Sequence, residues 1–351
     1  MLLLLMAVTV SAQSRKYPEM YAHRGCWSAV TPENSAEAVR MAKRFGYKGI
    51  ECDVHYTKDK RMVILHDATL NRTARLKDGY RELDKPVKLS DLTFEELRRD
   101  YVLASPDPTL RTPIPTLEEL LTACKEEGIV PMLHSDLVES YRVAQQMFGD
   151  RWIAFTSNEK ALLEARTFSD CVILLAIDKG TAEENIARLN GIGGKCGVST
   201  MNYRLLTAPF CQALAKAGYI VQASIFPQGK EDIGQRNGIS YQLTDFSWMP
   251  RKGLKPYRKV NLLKGASLSP ESPAVCRLDE TFALGALVVD LVFDGEVEVE
   301  LNDGVKYTLN SEAGRAAHSI GRRFIETCPQ VKITPKAGAV VTSCKARFYR
   351  F

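Results

Sequence analysis

Between about residues 18 and 246 the chain alternates eight short, apolar, β-rich runs with helical patterns, and this alternation restricts the fold more than any other feature. The runs are Met20–His23, Gly49–Val54, Ile129–His134, Trp152–Thr156, Cys171–Ile177, Gly197–Thr200, Tyr219–Ile225 and Ser240–Asp245. Helical patterns fall between them at Ser35–Phe45, Thr116–Glu127, Glu159–Arg166, Glu183–Leu189 and Ala208–Ala217. Strands separated by helices pair in parallel, and eight such units close a TIM-like (β/α)8 barrel, whose active site lies at the C-terminal strand ends. One run breaks the rhythm. Met62–Leu65 follows Val54 too soon for a parallel crossover, so it reads as the return arm of a small hairpin turning at Lys58-Asp59-Lys60. That arm would carry His66 back over the barrel mouth. Residues 68–114 carry many charges, several prolines and little regular pattern, and read as an insertion over the same face.

The pattern changes after about Lys255. Glu296-Val297-Glu298-Val299-Glu300-Leu301 alternates strictly, as a half-buried strand does, and related runs occur at Ala286–Phe293, Val305–Leu309, Val331–Thr334 and Ala339–Phe348. The expected organisation is therefore a barrel over 18–254 and a small antiparallel β domain, a sandwich, over 255–351. Met1–Val10 is almost wholly apolar and Val10-Ser11-Ala12 is a small-residue cleavage pattern, so residues 1–12 read as a signal peptide of a secreted or periplasmic protein. No other apolar run reaches membrane length. A net charge of +5, with 25% charged residues and no dense Lys/Arg run, argues against a nucleic-acid surface. Nine cysteines without paired C-x-x-C spacing argue against a zinc cluster, and an oxidising compartment would make Cys276, Cys328 and Cys344 disulfide candidates.

Only five histidines occur, and four lie within the first 134 residues. His23 ends the first strand and is followed by Arg24. Glu51 and Asp53 lie two apart near the end of the second, so both carboxylates share one face while Cys52 points the other way. Two oxygen donors on one face suit Mg2+ or Ca2+, and the cation removes the cost of burying like charges together. Two histidines, an arginine and two acids at successive strand ends supply an acid–base pair, an anion clamp and a metal site, the parts that phosphodiester cleavage needs.

Ala22-His23-Arg24-Gly25, Thr31-Pro32-Glu33-Asn34-Ser35, Gly49-Ile50-Glu51-Cys52-Asp53-Val54 and His66-Asp67-Ala68-Thr69-Leu70-Asn71-Arg72-Thr73 together resemble the glycerophosphodiester phosphodiesterase family. Pro113-Ile114-Pro115-Thr116-Leu117 resembles the family's approach to strand three, and Leu243-Thr244-Asp245 its closing strand. The resemblance implies His23 and His66 as general acid and base, Arg24 on the phosphate, and Glu51 and Asp53 on a divalent ion. It also implies attack on phosphorus by a neighbouring substrate hydroxyl, giving a cyclic phosphate that water can open. The implied substrate is a small phosphodiester such as a glycerophosphodiester. Asn34 or Ser35 is expected to cap the first helix.

The resemblance also implies a third metal-binding Glu in strand three, two residues before a phosphate-contacting Lys. In Gly128-Ile129-Val130-Pro131-Met132-Leu133-His134, Met132 holds the first place and His134 the second. A thioether is a poor ligand for Mg2+ or Ca2+, so His134 or Asp136, which share its parity, are the expected replacements, with His134 the substrate-binding residue of the set. The family's Trp-Thr pair is also missing near Ser224-Ile225. Two other readings follow from these departures: elimination chemistry on a sugar or sugar phosphate, and binding without turnover. For the C-terminal domain, contact with a glycan stands beside plain packing or a dimer contact.

Overall fold

The computed structural model describes residues 17–351 apart from 29, 30, 106, 228, 264, 266, 302, 303, 312 and 313. The signal-peptide reading of residues 1–12 lies outside the described residues. Eight parallel strands close a barrel: β1 (Glu19–Ala22), β2 (Gly49–Tyr56), β3 (Val130–His134), β4 (Ile153–Thr156), β5 (Val172–Ala176), β6 (Cys196–Thr200), β7 (Ile220–Ser224) and β8 (Tyr241–Thr244). β1 pairs with both β8 and β2, which completes the ring. Helices α1 (Ala36–Phe45), α2 (Leu117–Glu127), α3 (Val138–Phe148), α4 (Glu159–Arg166), α5 (Ala182–Ile192) and α6 (Ala208–Lys216) pack outside it. No helix among the described residues is long and apolar enough to cross a membrane.

Strand alternation sorts the side chains. Tyr21, Met132, Ile153, Phe155, Leu174 and Leu243 fill the barrel interior. Their neighbours Ile50, Cys52, Leu133, Ala154 and Ile173 face the helices and join the larger core. Helix ends are set locally. Ser35, rather than Asn34, caps α1 by accepting from Ala38 N–H at 3.1 Å. Thr116 with Glu119 and Thr181 with Glu184 form reciprocal capping boxes on α2 and α5.

The expected hairpin is present: Met62–Ile64 runs antiparallel to β2, with Val54 opposite Ile64 and Tyr56 opposite Met62. The insertion after it is more regular than its sequence suggests. Ala74–Leu76 pairs with Tyr101–Leu103, Thr93 and Glu96 box the helix Phe94–Asp100, and Leu65, Leu70, Leu89, Leu97, Leu103 and Ile114 form a separate small core. Three-residue strands are too short to show a period of two, which hides this unit from pattern reading.

The C-terminal region forms two four-stranded antiparallel sheets from β9 (Arg258–Asn261), β10 (Ala274–Arg277), β11 (Phe282–Asp294), β12 (Glu296–Leu301), β13 (Lys306–Asn310), β14 (Ala316–Thr327), β15 (Gln330–Pro335) and β16 (Val340–Arg350). Their orders are β9-β16-β11-β14 and β10-β15-β12-β13. Leu287, Val289, Val297, Val299, Tyr307 and Phe348 pack between them. Leu284, Ala286, Val288 and Tyr349 point the other way and join the barrel core. This sheet is buried on both faces, so Ala286–Val289 reads as a continuous apolar run while β12 alternates. Cys344 is buried and Cys328 lies 3.2 Å from Thr281 Oγ1; both are free thiols, so they do not bridge.

Candidate active site

The C-terminal ends of β1, β2, β3 and β8 and the end of the hairpin arm bring the sequence-marked residues together. Glu51 and Asp53 are almost fully buried on the inner face of β2. β3 runs beside it in register, Glu51 opposite Met132 and Asp53 opposite His134. His134 Nδ1 lies 3.1 Å from Asp53 Oδ1 and 3.8 Å from Glu51 Oε1, and its ring stacks on Phe155 with centroids 4.7 Å apart. One ligand atom from each of Glu51, Asp53 and His134 falls within a 4.8 Å span, a possible cradle for a metal ion. Asp136 does not join the cradle; it accepts from Thr156 Oγ1.

Met132 takes no part in this cluster. It is fully buried in the barrel interior, and its sulfur accepts from Gln222 Nε2 at 3.7 Å. The position at which the resemblance implies a third carboxylate belongs to the apolar core.

Both histidines lean on a carboxylate through Nδ1. His23 Nδ1 lies 2.8 Å from Asp245 Oδ1, just beyond the end of β8, and its Nε2 is 3.9 Å from Glu51 Oε2. His66 Nδ1 lies 2.5 Å from Asp67 Oδ1. A carboxylate on one ring nitrogen orients the ring and frees the other nitrogen for proton transfer. Asp67 and Asp245 carry no sequence signal stronger than their places after His66 and at the end of the closing strand. The 222-residue separation of His23 from Asp245 puts their pairing beyond sequence reading.

Arg24 sits at a tight corner. Its φ is +54° and that of Gly25 is +75°, where a Cβ would meet Ala38 Cβ at 2.6 Å, so glycine is required. The turn lets Arg24 N–H donate to Glu51 Oε2 at 3.2 Å, while Nη1 donates to both oxygens of Glu33. Arg72 bridges Glu33 and Asp67, so an ion-pair chain runs from Arg24 to His66. Glu33 and Arg72 lie within the resembling motifs, where sequence reading gave them no role.

Two buried atoms at the centre have no hydrogen-bond partner among the described residues: Arg24 Nε and Asp53 Oδ2, 3.8 Å apart. Burial and the charge of Asp53 raise the Glu51 carboxyl well above its ordinary range. Burial pushes Asp53 upward too, but the hydrogen bond from His134 and the charges of His66, His134 and Arg24 outweigh it and hold it low. Asp245 is likewise held low against burial, by the hydrogen bond and charge of His23 and by Trp27. The Arg72 hydrogen bond leads the effects that bring Asp67 down to about 2.

A cleft of about 370 Å3 opens among Asp53, Tyr56, His66, His134, Ser135 and Asp136. A larger cavity of about 1250 Å3 lies at the opposite end of the barrel, lined by Lys43, Lys48, Gly128, Ile129 and Arg251. Its lining among the described residues holds no histidine or carboxylate cluster and faces the N-terminal strand ends, the stabilising face of such barrels, so the smaller cleft is the candidate site.

Residues 23–138 match the model of the Glycerophosphoryl diester phosphodiesterase family. The chain aligns with mouse Glycerophosphodiester phosphodiesterase 1, 38% identical over 113 residues, which is 31% of this chain and 30% of that protein. The Glycerophosphodiester phosphodiesterase of Bacillus altitudinis is 38% identical over 104 residues, 29% of this chain and 38% of that protein. The chain thus spans about a third of the length of these curated relatives. Among solved structures, an Oleispira antarctica phosphodiesterase in complex with the product sn-glycerol-3-phosphate superposes with a TM-score of 0.53 at 21% identity, over 65% of this chain and 93% of that one. A glycerophosphodiester phosphodiesterase from Parabacteroides distasonis gives 0.51 at 21% identity, over 66% and 94%. At that identity the superpositions establish the barrel fold. The family likeness in sequence is carried by residues 23–138, which hold the motifs around His23, Glu51, Asp53 and His66, and the C-terminal β sandwich lies outside it.

Proposed function

We propose that the chain is a phosphodiesterase that cleaves a small phosphodiester of the glycerophosphodiester type into a phosphomonoester, or a cyclic phosphate, and an alcohol. The observation that carries this reading is the pair of carboxylate-braced histidines, His23–Asp245 and His66–Asp67, flanking Arg24 and the Glu51–Asp53 carboxylates. The product bound to the Oleispira relative is the chemistry this cleft would hold. One histidine accepts the proton of the attacking oxygen, from water or from a neighbouring substrate hydroxyl. The other donates a proton to the departing alkoxide as the phosphorus–oxygen bond breaks. Arg24 presents a planar donor fork to the phosphoryl oxygens, and its orphaned Nε is free to take one.

Glu51, Asp53 and His134 fit a divalent cation: two oxygens and a nitrogen converge, and Asp53 Oδ2 is buried without a partner. When bound, that ion supplies positive charge to the oxygens of the phosphoryl group. The oxygen donors alone favour Mg2+ or Ca2+, while the imidazole extends the set towards Mn2+ and Zn2+.

The test is release of alcohol from glycerophosphocholine, glycerophosphoethanolamine and glycerophosphoinositol, with chelator and with each metal restored. His23→Ala and His66→Ala should each lower kcat about 10^2–10^4-fold. No turnover of any phosphodiester with any divalent ion would overturn the reading. It would favour the second one, binding without turnover, for which the burial of Met132 where the family's third acid is expected is the supporting observation. Export of the chain belongs to the same proposal. It rests on the apolar Met1–Val10 segment and is tested by whether the mature N-terminus follows Ala12.

A further inference from the structure

The sandwich touches the barrel where the acid–base machinery is braced. β14 is the edge strand of its sheet, and the chain leaving β8 covers that free edge. Trp248 N–H donates to Gly321 O at 3.0 Å, Arg323 N–H donates to Phe246 O at 3.0 Å, and Ser247 pairs with Arg322. The approach is close enough to require glycine, since a Cβ on residue 321 would meet Trp248 O at 1.9 Å. Next to it, Arg323 is buried to 4% exposure. Its Nε donates to Asp245 O at 3.0 Å, and its Nη2 donates to Asp245 O and, at 2.9 Å, to Trp27 O. The Phe246 and Phe45 rings lie 5.2 and 5.7 Å from the guanidinium. Both residues whose carbonyls it grips serve His23. Asp245 Oδ1 receives His23 Nδ1 at 2.8 Å, and Trp27 Nε1–H donates to the same oxygen at 3.1 Å.

We propose that the C-terminal sandwich is a working part of the active site, and that Arg323 is a positioning residue holding Asp245 and Trp27 so that Asp245 fixes the orientation and tautomer of His23. This rests on the acid–base reading of His23 above. Asp245 lies past the last residue of β8, where no barrel ladder restrains it. A planar fork from a rigid neighbouring sheet supplies the missing restraint, because two carbonyls can be held at fixed spacing by one guanidinium but not by an ammonium. Without the sandwich, the brace on His23 would rest on a loop.

The test uses the full chain with Arg323→Lys, which keeps the charge and loses the fork, Arg323→Ala, and Trp248→Phe as a control. The control removes the Trp248 Nε1–H bond to Phe45 O in the same interface without touching Trp27 or Asp245. Two quantities are read: kcat and KM per folded molecule, and the Nδ1-bound proton of His23 by NMR on histidine-labelled protein. The five histidines make that assignment tractable. For Arg323→Ala, kcat should fall about 10–100-fold with KM changed less than about threefold, and Arg323→Lys should recover only part of the loss. In both, the His23 Nδ1 proton should broaden or exchange faster. Trp248→Phe should lower thermal stability and leave both readouts unchanged. Wild-type kcat and an unchanged His23 proton in both Arg323 variants would overturn the proposal, as would equal losses in Trp248→Phe. The NMR readout needs no substrate, so it judges the brace even if no phosphodiester is turned over, and Arg323→Lys serves if Arg323→Ala fails to fold.

Discussion

β2 and β3 are neighbours in register, yet their inner faces have opposite characters at the same depth. β2 carries Glu51 and Asp53, while β3 carries Met132 opposite Glu51 and His134 opposite Asp53. One rung of this ladder joins a buried acid to a thioether that belongs to the apolar interior; the next joins a buried acid to an imidazole within hydrogen-bond reach. The loss and the gain sit on the same strand, two residues apart. A carboxylate at position 132 would add a third negative charge to a pair already under strain. An imidazole at 134 adds a donor without adding negative charge. Set against the three carboxylates that the resemblance implies, the cluster holds a nitrogen in place of one charge, and that predicts how it will respond to perturbation.

Removing the β2 side of the contrast has the largest expected effect. Asp53→Asn should weaken divalent binding about 10^3-fold and bring phosphodiester turnover to background, as read by metal competition and steady-state kinetics. Reversing the β3 side comes next. Met132→Glu should cost the metal-free protein about 2–4 kcal/mol at pH 8, and added divalent ion should return most of that loss in thermal denaturation. Met132→Leu at the same position should cost less than about 1.5 kcal/mol and leave metal affinity unchanged.

His134→Ala should lower divalent affinity about 10–100-fold, more for Zn2+ and Mn2+ than for Mg2+ or Ca2+, because only the nitrogen donor is lost. Equal losses for all four ions would show that His134 is not a ligand.

The smallest effect is on pH dependence. Glu51 titrates above its ordinary value of 4.5 in the folded chain, so its contribution to metal-free stability is whole below 4.5 and is lost as pH rises through the folded value. Asp53 titrates below its ordinary 3.8, so its contribution is whole above 3.8 and is lost as pH falls through the folded value. Metal-free Tm should therefore decline from about pH 4.5 upward, and either Glu51→Gln or added divalent ion should flatten that decline. A decline of the same size in Glu51→Gln would assign it to other groups.

Much of this was legible in the residues. The alternation of short apolar, β-rich runs with helical patterns located all eight barrel strands to within a residue or two, and the short gap after Val54 correctly signalled a hairpin. His23, Arg24, Glu51, Asp53, His66 and His134 do converge, because strand ends in a closed barrel meet at one mouth. The compact core of the insertion was not legible, and neither was the choice between Ser35 and Asn34 as cap, which depends on the φ of +57° that Asn34 adopts. Parity makes His134 and Asp136 equal as replacements, and only the fold separates them, because Thr156 engages the aspartate.

The sequence by itself determined the strand–helix rhythm, the faces of the strands, and the chemical types at each strand end, since these follow from local spacing and from the geometry of one residue after another. Only the tertiary structure decided which carboxylate braces which histidine, that Met132 belongs to the core, and that Arg323 reaches into the neighbourhood of His23 from nearly three hundred residues away. Those contacts depend on barrel closure and on one edge strand meeting one loop. The position of both is set by the summed packing of the whole chain and by no local pattern.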